Sequence, residues 1–270
     1  MLSFIPCLLN RAIYKYNQVI KYLQNNRRDI MPEDEIERVK TYVERLDKYL
    51  EGGVPKGTVS LICGTAGCMK SSLVYSVLYK NAMEENLKGM YITLEQGIQS
   101  LKKQMETLGM AEKSENLAIV DHKMIDEELK EDKRFELNWV KKIKNYIDDR
   151  VGKEEYDLIA IDPLNALYSL TTVKNPRREV YLFFEGLRET GITSFLISEM
   201  DQGDNRFGKY GVEDFLADAI IHLDFRRKKD ILERYLGIVK MRYTNHNLQY
   251  FPLFYNEDRF IIYTKEEINL

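Results

Sequence analysis

The feature that most constrains how this 270-residue chain can fold is an alternation: from Val59 onward, short apolar runs take turns with longer amphipathic stretches. The runs are VSLIC (59–63), GMYITLE (89–95), LAIVD (117–121), YDLIAID (156–162), TSFLISE (193–199) and AIIHLDF (219–225). Runs so short and so uniformly apolar read as strands covered on both faces, and the helical patterns between them supply the covers. Helices are predicted over 70–85, 98–108, roughly 126–150 and 177–190. In the third, Phe135, Trp139, Ile143 and Ile147 recur every fourth residue and mark a stripe facing the core. Strands joined by crossover helices imply a largely parallel sheet. After residue 219 the pattern changes. YLGIVKMRY (235–243) and LQYFPLFYNEDRFIIY (248–263) read as antiparallel strands, with Asn256-Glu257-Asp258-Arg259 as a turn. The predicted fold is α/β: a mostly parallel sheet flanked by helices, with antiparallel C-terminal strands, in one domain over 39–270 behind a helical extension over 1–38.

Charge removes some functions. With 40 Lys+Arg against 43 Asp+Glu the net charge is −3, so a generic basic coat for nucleic acid is not expected. An apolar content of 44% suffices for a large core and argues against whole-chain disorder. Cys7, Cys63 and Cys68 are odd in number and at no zinc spacing, which points to a reducing, cytoplasmic setting. The opening run MLSFIPCLLNR is far shorter than the ~20 residues of a spanning helix and lacks the features of a secretory leader, so no membrane span is expected. Residues 1–30 carry five basic residues and one acid, with Ile13, Tyr16, Ile20 and Leu23 at helical spacing. Three readings are open: a helix packed on its own body or on a neighbouring subunit, one laid on a membrane or partner, or a true start at Met31.

The first buried run leads into Gly64-Thr65-Ala66-Gly67-Cys68-Met69-Lys70-Ser71-Ser72, and a helix pattern follows at once. Strand, small-residue loop, Lys-Ser and helix are the parts of a triphosphate cradle. Small residues let backbone N–H groups approach phosphates, and the helix N-terminus adds partial positive charge. Lys70 would reach the β- and γ-phosphates and the Ser71 hydroxyl would bind magnesium. The strict pattern has glycine before the lysine, whereas this chain has Met69, which either crowds the loop or points away from the nucleotide. Cys68 reads as a small buried residue or as a thiol whose oxidation blocks the loop.

A cradle of this kind needs carboxylates at the ends of neighbouring strands. Asp162 ends an apolar run and is placed to hold magnesium through water, the other reading being a cap before Pro163. Glu95 ends the run at 89–95 and is placed to orient or deprotonate the attacking water. Glu199 ends a third run beside the nucleotide.

Four segments in order carry a resemblance: TYVERLDKYLEGGVPKG (41–57), YITLEQGIQSLKKQMETLGM (91–110), KYGVEDFLADAIIHL (209–223) and VKMRYTNHN (239–247). From about residue 39 to 264 the chain resembles the KaiC-like branch of the RecA-type ATPases, as a single domain of the archaeal type. The resemblance implies a RecA-like P-loop core that binds ATP with Mg2+ between adjacent subunits of a homo-oligomeric ring, usually hexameric. Glu95 matches the first acid of the pair that carries hydrolysis in that family, while the second position is Gln96. Lys240 and Arg242 match the pair of cations that reaches a neighbour's γ-phosphate.

Three functions are in competition. The first is a Mg-dependent ATPase that regulates an unidentified protein partner, with Glu95, Lys70, Lys240 and Arg242 in the chemistry. The second is a recombinase-like protein binding single-stranded DNA through the loop 201–210, which offers Arg206, Phe207, Lys209 and Tyr210. The third is a hydrolysis-poor switch that assembles on nucleotide, because Met69 and Gln96 both depart from the family pattern.

Overall fold

The computed structural model describes residues 36–129, 138–170, 175–264 and 267. Arg38–Leu270 form one compact unit. The extension predicted over 1–38 lies almost wholly outside the described residues, and so does Phe135.

A short antiparallel pair, β1 (Arg38–Val39) with β2 (Val54–Pro55), precedes the main sheet. The main sheet contains β3 (Val59–Gly64), β4 (Gly89–Thr93), β5 (Leu117–Asp121), β6 (Leu158–Asp162), β7 (Thr193–Glu199), β8 (Ala219–Lys228), β9 (Ile231–Met241), β10 (Tyr250–Asn256) and β11 (Arg259–Ile262). Their spatial order is β11-β10-β9-β8-β3-β7-β6-β4-β5. From β8 to β5 all neighbours are parallel, and from β8 to β11 all are antiparallel. The last hairpin turns through Glu257 and Asp258, both at positive φ, between the paired Asn256 and Arg259. That is the backbone twist a two-residue hairpin favours.

Seven α-helices are seen among the described residues: α1 (Lys70–Glu84), α2 (Ile98–Thr107), α3 (His122–Glu128), α4 (Trp139–Lys153), α5 (Leu164–Ser169), α6 (Pro176–Glu189) and α7 (Glu213–Leu216). Side chains of the central strands alternate between two apolar layers, as period-two geometry requires. Leu158, Ala160, Phe195 and Ile197 face one layer with Leu73, Leu78 and Leu101 from α1 and α2. Ile159, Ile161, Leu61 and Leu196 face the other with Ile143, Ile147, Phe184 and Leu187 from α4 and α6. Among the described residues no helix is long and apolar enough to cross a membrane.

Two expectations need correction. The single helix over 126–150 is instead α3 and α4, each with its own start. Asp121 accepts from the Met124 N–H at 3.0 Å and Asn138 from the Lys141 N–H at 3.1 Å. A side-chain oxygen bonded to an N–H three residues on opens a helix, and that local signal outweighs the continuous apolar stripe. Trp139, Ile143 and Ile147 do share the core-facing side of α4. The run at 89–95 stops as a strand at Thr93, so Glu95 belongs to the loop entering α2. The short helices α5 and α7 were not anticipated, since neither is long enough to show a period.

Gly64 ends β3 at φ 153°, where an added Cβ would lie 2.2 Å from the Leu223 carbonyl oxygen of β8. Gly64→Ala is therefore expected to cost about 3 kcal/mol, combining a strained dihedral with overpacking. Urea unfolding measures it, and a loss below about 0.5 kcal/mol would contradict the packing described.

Candidate functional site

The loop predicted to cradle phosphate stands at the carboxyl edge of the parallel strands. It turns through Gly67 at φ 84° and Met69 at φ 70° before α1 begins at Lys70. Met69 thus adopts the left-handed conformation that glycine takes without penalty, at a cost of about 1–2 kcal/mol for an ordinary residue. Its side chain is half-buried and packs against the apolar layer of α1. No side chain caps the first N–H groups of α1. They remain directed toward the loop, as an anion site requires.

Inside the loop, the Thr65 carbonyl accepts from the Cys68 thiol and from the Lys70 ammonium, each at 2.9 Å. Cys68 is fully buried, as its reading as a small packed residue requires. Lys70 is held back on its own loop and is free to exchange that carbonyl for a phosphate oxygen.

Ala66, Gly67, Met69, Lys70, Ser71 and Ser72 line a cleft of about 450 Å³ together with Asp162 and Glu199. Asp162 is 8% exposed, and its Oδ2 accepts from the Tyr91 hydroxyl at 2.6 Å. Burial pushes its carboxyl upward, while hydrogen bonds from Tyr91 and Ser71 and the charge of Lys70 pull the other way. The expectation that Asp162 ends a strand neighbouring the loop strand is corrected in one respect. β7 lies between β3 and β6, and its Glu199 is in register with Gly64.

Glu95 sits on the same edge. Its carboxyl is raised from the ordinary carboxylate range by burial first, then by the like charges of Glu199 and Asp162. The charges of two other separately predicted acids therefore bear on Glu95. Glu95 and Glu199 also line a second depression of about 270 Å³ with Asn165, Asp204, Arg206 and Lys209. Gln96 donates to Gln104 at 3.0 Å, and Gln104 to the Ser72 hydroxyl at 3.4 Å, joining the Glu95 loop to the head of α1.

Three residues at this edge were missed by sequence reasoning. The Tyr91 hydroxyl holds Asp162. Asn165 brackets the Glu199 peptide, accepting from its N–H at 2.9 Å and donating to its carbonyl at 3.2 Å. Arg234 of β9 lines the phosphate cleft, stands over the Phe225 ring at 5.6 Å, and has a buried Nε without a hydrogen-bond partner. Only the register of β8 with β9, which pairs Phe225 with Arg234, brings that cation to the loop. No motif marks it in the sequence.

Lys240 and Arg242 lie elsewhere. Lys240 pairs with Ile220, which is in register with Leu61, and the Arg242 N–H binds the Asp218 carbonyl at the start of β8. That is about 10–16 Å along the strands from Gly64, toward the opposite edge of the sheet. The Lys240 ammonium donates to the carbonyls of Asp214, Phe215 and Ala217 at 3.1, 3.3 and 2.6 Å. Burial and the nearby Arg242 lower its pKa. Arg242 pairs with Asp218 at 2.8 Å. The structure does not bring these two cations to the chain's own phosphate loop.

The loop 201–210 turns its aromatic residues inward. Phe207 meets His222 edge-on at 5.4 Å, Tyr210 lies 4.8 Å from Tyr168, and Arg206 is paired with Asp204 at 2.6 Å.

Comparisons with known proteins converge on one family. A family model described as "ATPase: KaiC" matches residues 39–267. A UPF0273 protein of Aeropyrum pernix is 30% identical over 87% of this chain and 97% of that protein. The circadian clock protein KaiC2 of Synechocystis sp. is 25% identical over 81% of this chain but only 38% of its own length, so the chain spans well under half of that relative. Among solved structures, a KaiC-like protein from Pyrococcus horikoshii matches with a TM-score of 0.70 at 26% identity, covering 85% of this chain and 100% of that one.

Two predictions follow from the geometry of the loop and its acids. Glu199→Gln removes a like charge that disfavours ionised Glu95, so the Glu95 carboxyl is expected to titrate at lower pH. Carbon-13 NMR of Glu95 reads this directly, and an unmoved midpoint would separate the two groups. Met69→Gly is expected to leave nucleotide affinity within about twofold, because the backbone already has the glycine conformation. A tenfold gain by fluorescent-nucleotide titration would show that the methionine side chain obstructs the cleft.

Proposed function

The chain belongs to the KaiC family of ATPases, and from that premise we propose that it binds Mg·ATP in the phosphate-loop cleft and hydrolyses it with a cation from a neighbouring copy. The domain over 39–270 is the ATPase in this reading, and the copies form a homo-oligomer, with a hexameric ring favoured. The carrying observation is a division of labour across the sheet. Lys70, Ser71, Asp162, Glu199 and Glu95 share one edge, while Lys240 and Arg242 lie toward the other.

The residues suit both groups. Gly64, Thr65, Ala66, Gly67, Cys68 and Met69 form a loop whose backbone N–H groups and following helix N-terminus fit a phosphate chain, with Lys70 as its point charge. Ser71 and Asp162, one hydroxyl and one buried carboxylate in mutual contact, are a donor set suited to Mg2+, which takes few protein ligands alongside phosphate and water. When bound, the ion neutralises charge on the phosphate oxygens. Arg234, with an unpartnered Nε at the cleft, is a further cation for the nucleotide.

Glu95 orients the attacking water and accepts its proton. A carboxyl raised from its ordinary range is a stronger base than a solvated one, which helps it in that role. Arg242, arriving from the next subunit, stabilises the charge on the transferring phosphoryl group and makes turnover depend on assembly. Glu199 stands between the water side and the phosphate side, lining both depressions. We place the protein in the cytoplasm, with a protein partner that its nucleotide state regulates.

A second reading, the hydrolysis-poor assembly switch, has one observation in its favour: Gln96 is tied up in a chain of hydrogen bonds to Gln104 and Ser72. The single-stranded DNA reading loses support from the inward-facing Phe207 and Tyr210.

Phosphate release is to be measured against protein concentration for wild type, Glu95→Gln and Arg242→Ala. The rate per subunit is expected to rise with concentration, falling at least ~100-fold in Glu95→Gln and about 1,000-fold in Arg242→Ala. A flat rate equal in all three would overturn the proposal, and ATP-dependent assembly without phosphate release would select the switch.

A further inference from the structure

Asp218, at the entry to β8, has more partners than an ordinary strand residue. It is 4% exposed. Its Oδ2 accepts from the Val59 N–H at 3.0 Å and from Arg188 Nε at 2.8 Å, and its Oδ1 accepts from Arg242 Nη1 at 2.8 Å. The backbone is fixed as well, with the Asp218 N–H on the Val59 carbonyl and the Arg242 N–H on the Asp218 carbonyl. Arg188 is itself anchored on Glu185 and on the Leu216 carbonyl. The carboxylate is therefore tied to β3, to α6 and to the end of β9 at once.

The two arginines it binds are unequal. The Arg188 side chain is 22% exposed, whereas that of Arg242 is 49% exposed. A guanidinium carries five N–H donors, and Asp218 engages Arg242 through Nη1 alone. Glu185 and Asp218 together balance the two guanidiniums, and Glu185 contacts Arg188 alone, so what sets Arg242 apart is the exposed edge of its guanidinium rather than net charge. Lys240 differs, since its ammonium is taken up by three carbonyls at the end of α7.

A free arginine has considerable rotamer freedom, which must be lost when it meets a phosphate. Holding one edge of the guanidinium before assembly removes much of that cost and fixes the direction of the rest. We propose that Asp218 is a positioning residue for the Arg242 guanidinium, holding it ready for the neighbour's phosphate while Lys240 braces α7. The inference rests on the trans-acting reading of Arg242 given above.

The test is a double-mutant cycle on kcat at saturating ATP, with KM and thermal midpoint measured alongside. Asp218→Asn in the wild-type background is expected to lower kcat about 10- to 100-fold, with KM changed far less. In the Arg242→Ala background the same substitution should change kcat less than about twofold, although its thermal destabilisation persists. Equal fold losses in both backgrounds, or none in either, would overturn the proposal. If Asp218→Asn does not fold, Asp218→Glu, which keeps the charge but displaces it, enters the same cycle with the same criteria. Mixing Asp218→Asn with Glu95→Gln subunits should restore turnover at interfaces that pair an intact base with an intact cation. If Arg242→Ala turns over at the wild-type rate, the trans reading fails. A normal Asp218→Asn beside a defective Arg242→Ala rejects the positioning role alone.

Discussion

The carboxyl edge of this sheet is organised by the close approach of two backbones. β3 runs between β7 and β8, hydrogen-bonded to both, and at its last residue there is no room for a side chain between Gly64 and the Leu223 carbonyl. That approach sets where the phosphate loop leaves the sheet. It also brings Phe225, two residues further along β8, to Gly67, where an added Cβ would lie 3.6 Å from the ring, and Arg234 follows by pairing with Phe225. The loop, its helix and the cation beside them therefore inherit their positions from one steric constraint in the sheet.

Electrostatics at this edge is unbalanced by design of the topology. Parallel strands joined by crossover helices deliver their carboxyl ends to the same side, so Asp162, Glu199 and the loop carrying Glu95 converge whether or not their charges are matched. Burial and mutual repulsion raise Glu95, and Asp162 is raised by burial against the pull of its hydrogen bonds. A site in this condition gains from a bound cation and from charge supplied by another molecule. Of the chain's own C-terminal cations, Arg234 reaches the cleft, whereas Arg242 and Lys240 are held on Asp218 and on the end of α7.

Much of the fold was legible because its signals are local. An apolar run of five to seven residues, a helical period, and an Asn-Glu-Asp-Arg turn each depend only on near neighbours in the chain, and β3 to β8, α1, α2 and α6 appear where those signals put them. The separate start of α4 was hidden, since its cap at Asn138 is a single residue inside an apolar stripe that the sequence continues through it. Met69 posed the opposite difficulty. Its identity argued against a glycine conformation, and the loop imposes that conformation regardless, with the surrounding packing carrying the strain.

By itself the sequence determined the class of fold, the order of its strands and helices along the chain, and the chemistry available at strand ends: a Lys-Ser helix start and acids at the ends of apolar runs. It could do so because periodicity and strand termini are properties of contiguous residues. Tertiary structure alone decided that β7 separates β3 from β6, that Arg234 reaches the phosphate cleft, and that Lys240 and Arg242 point away from it. Those facts arise from strand order and register, which are set by packing between segments up to a hundred and more residues apart and leave no mark on any one stretch of sequence.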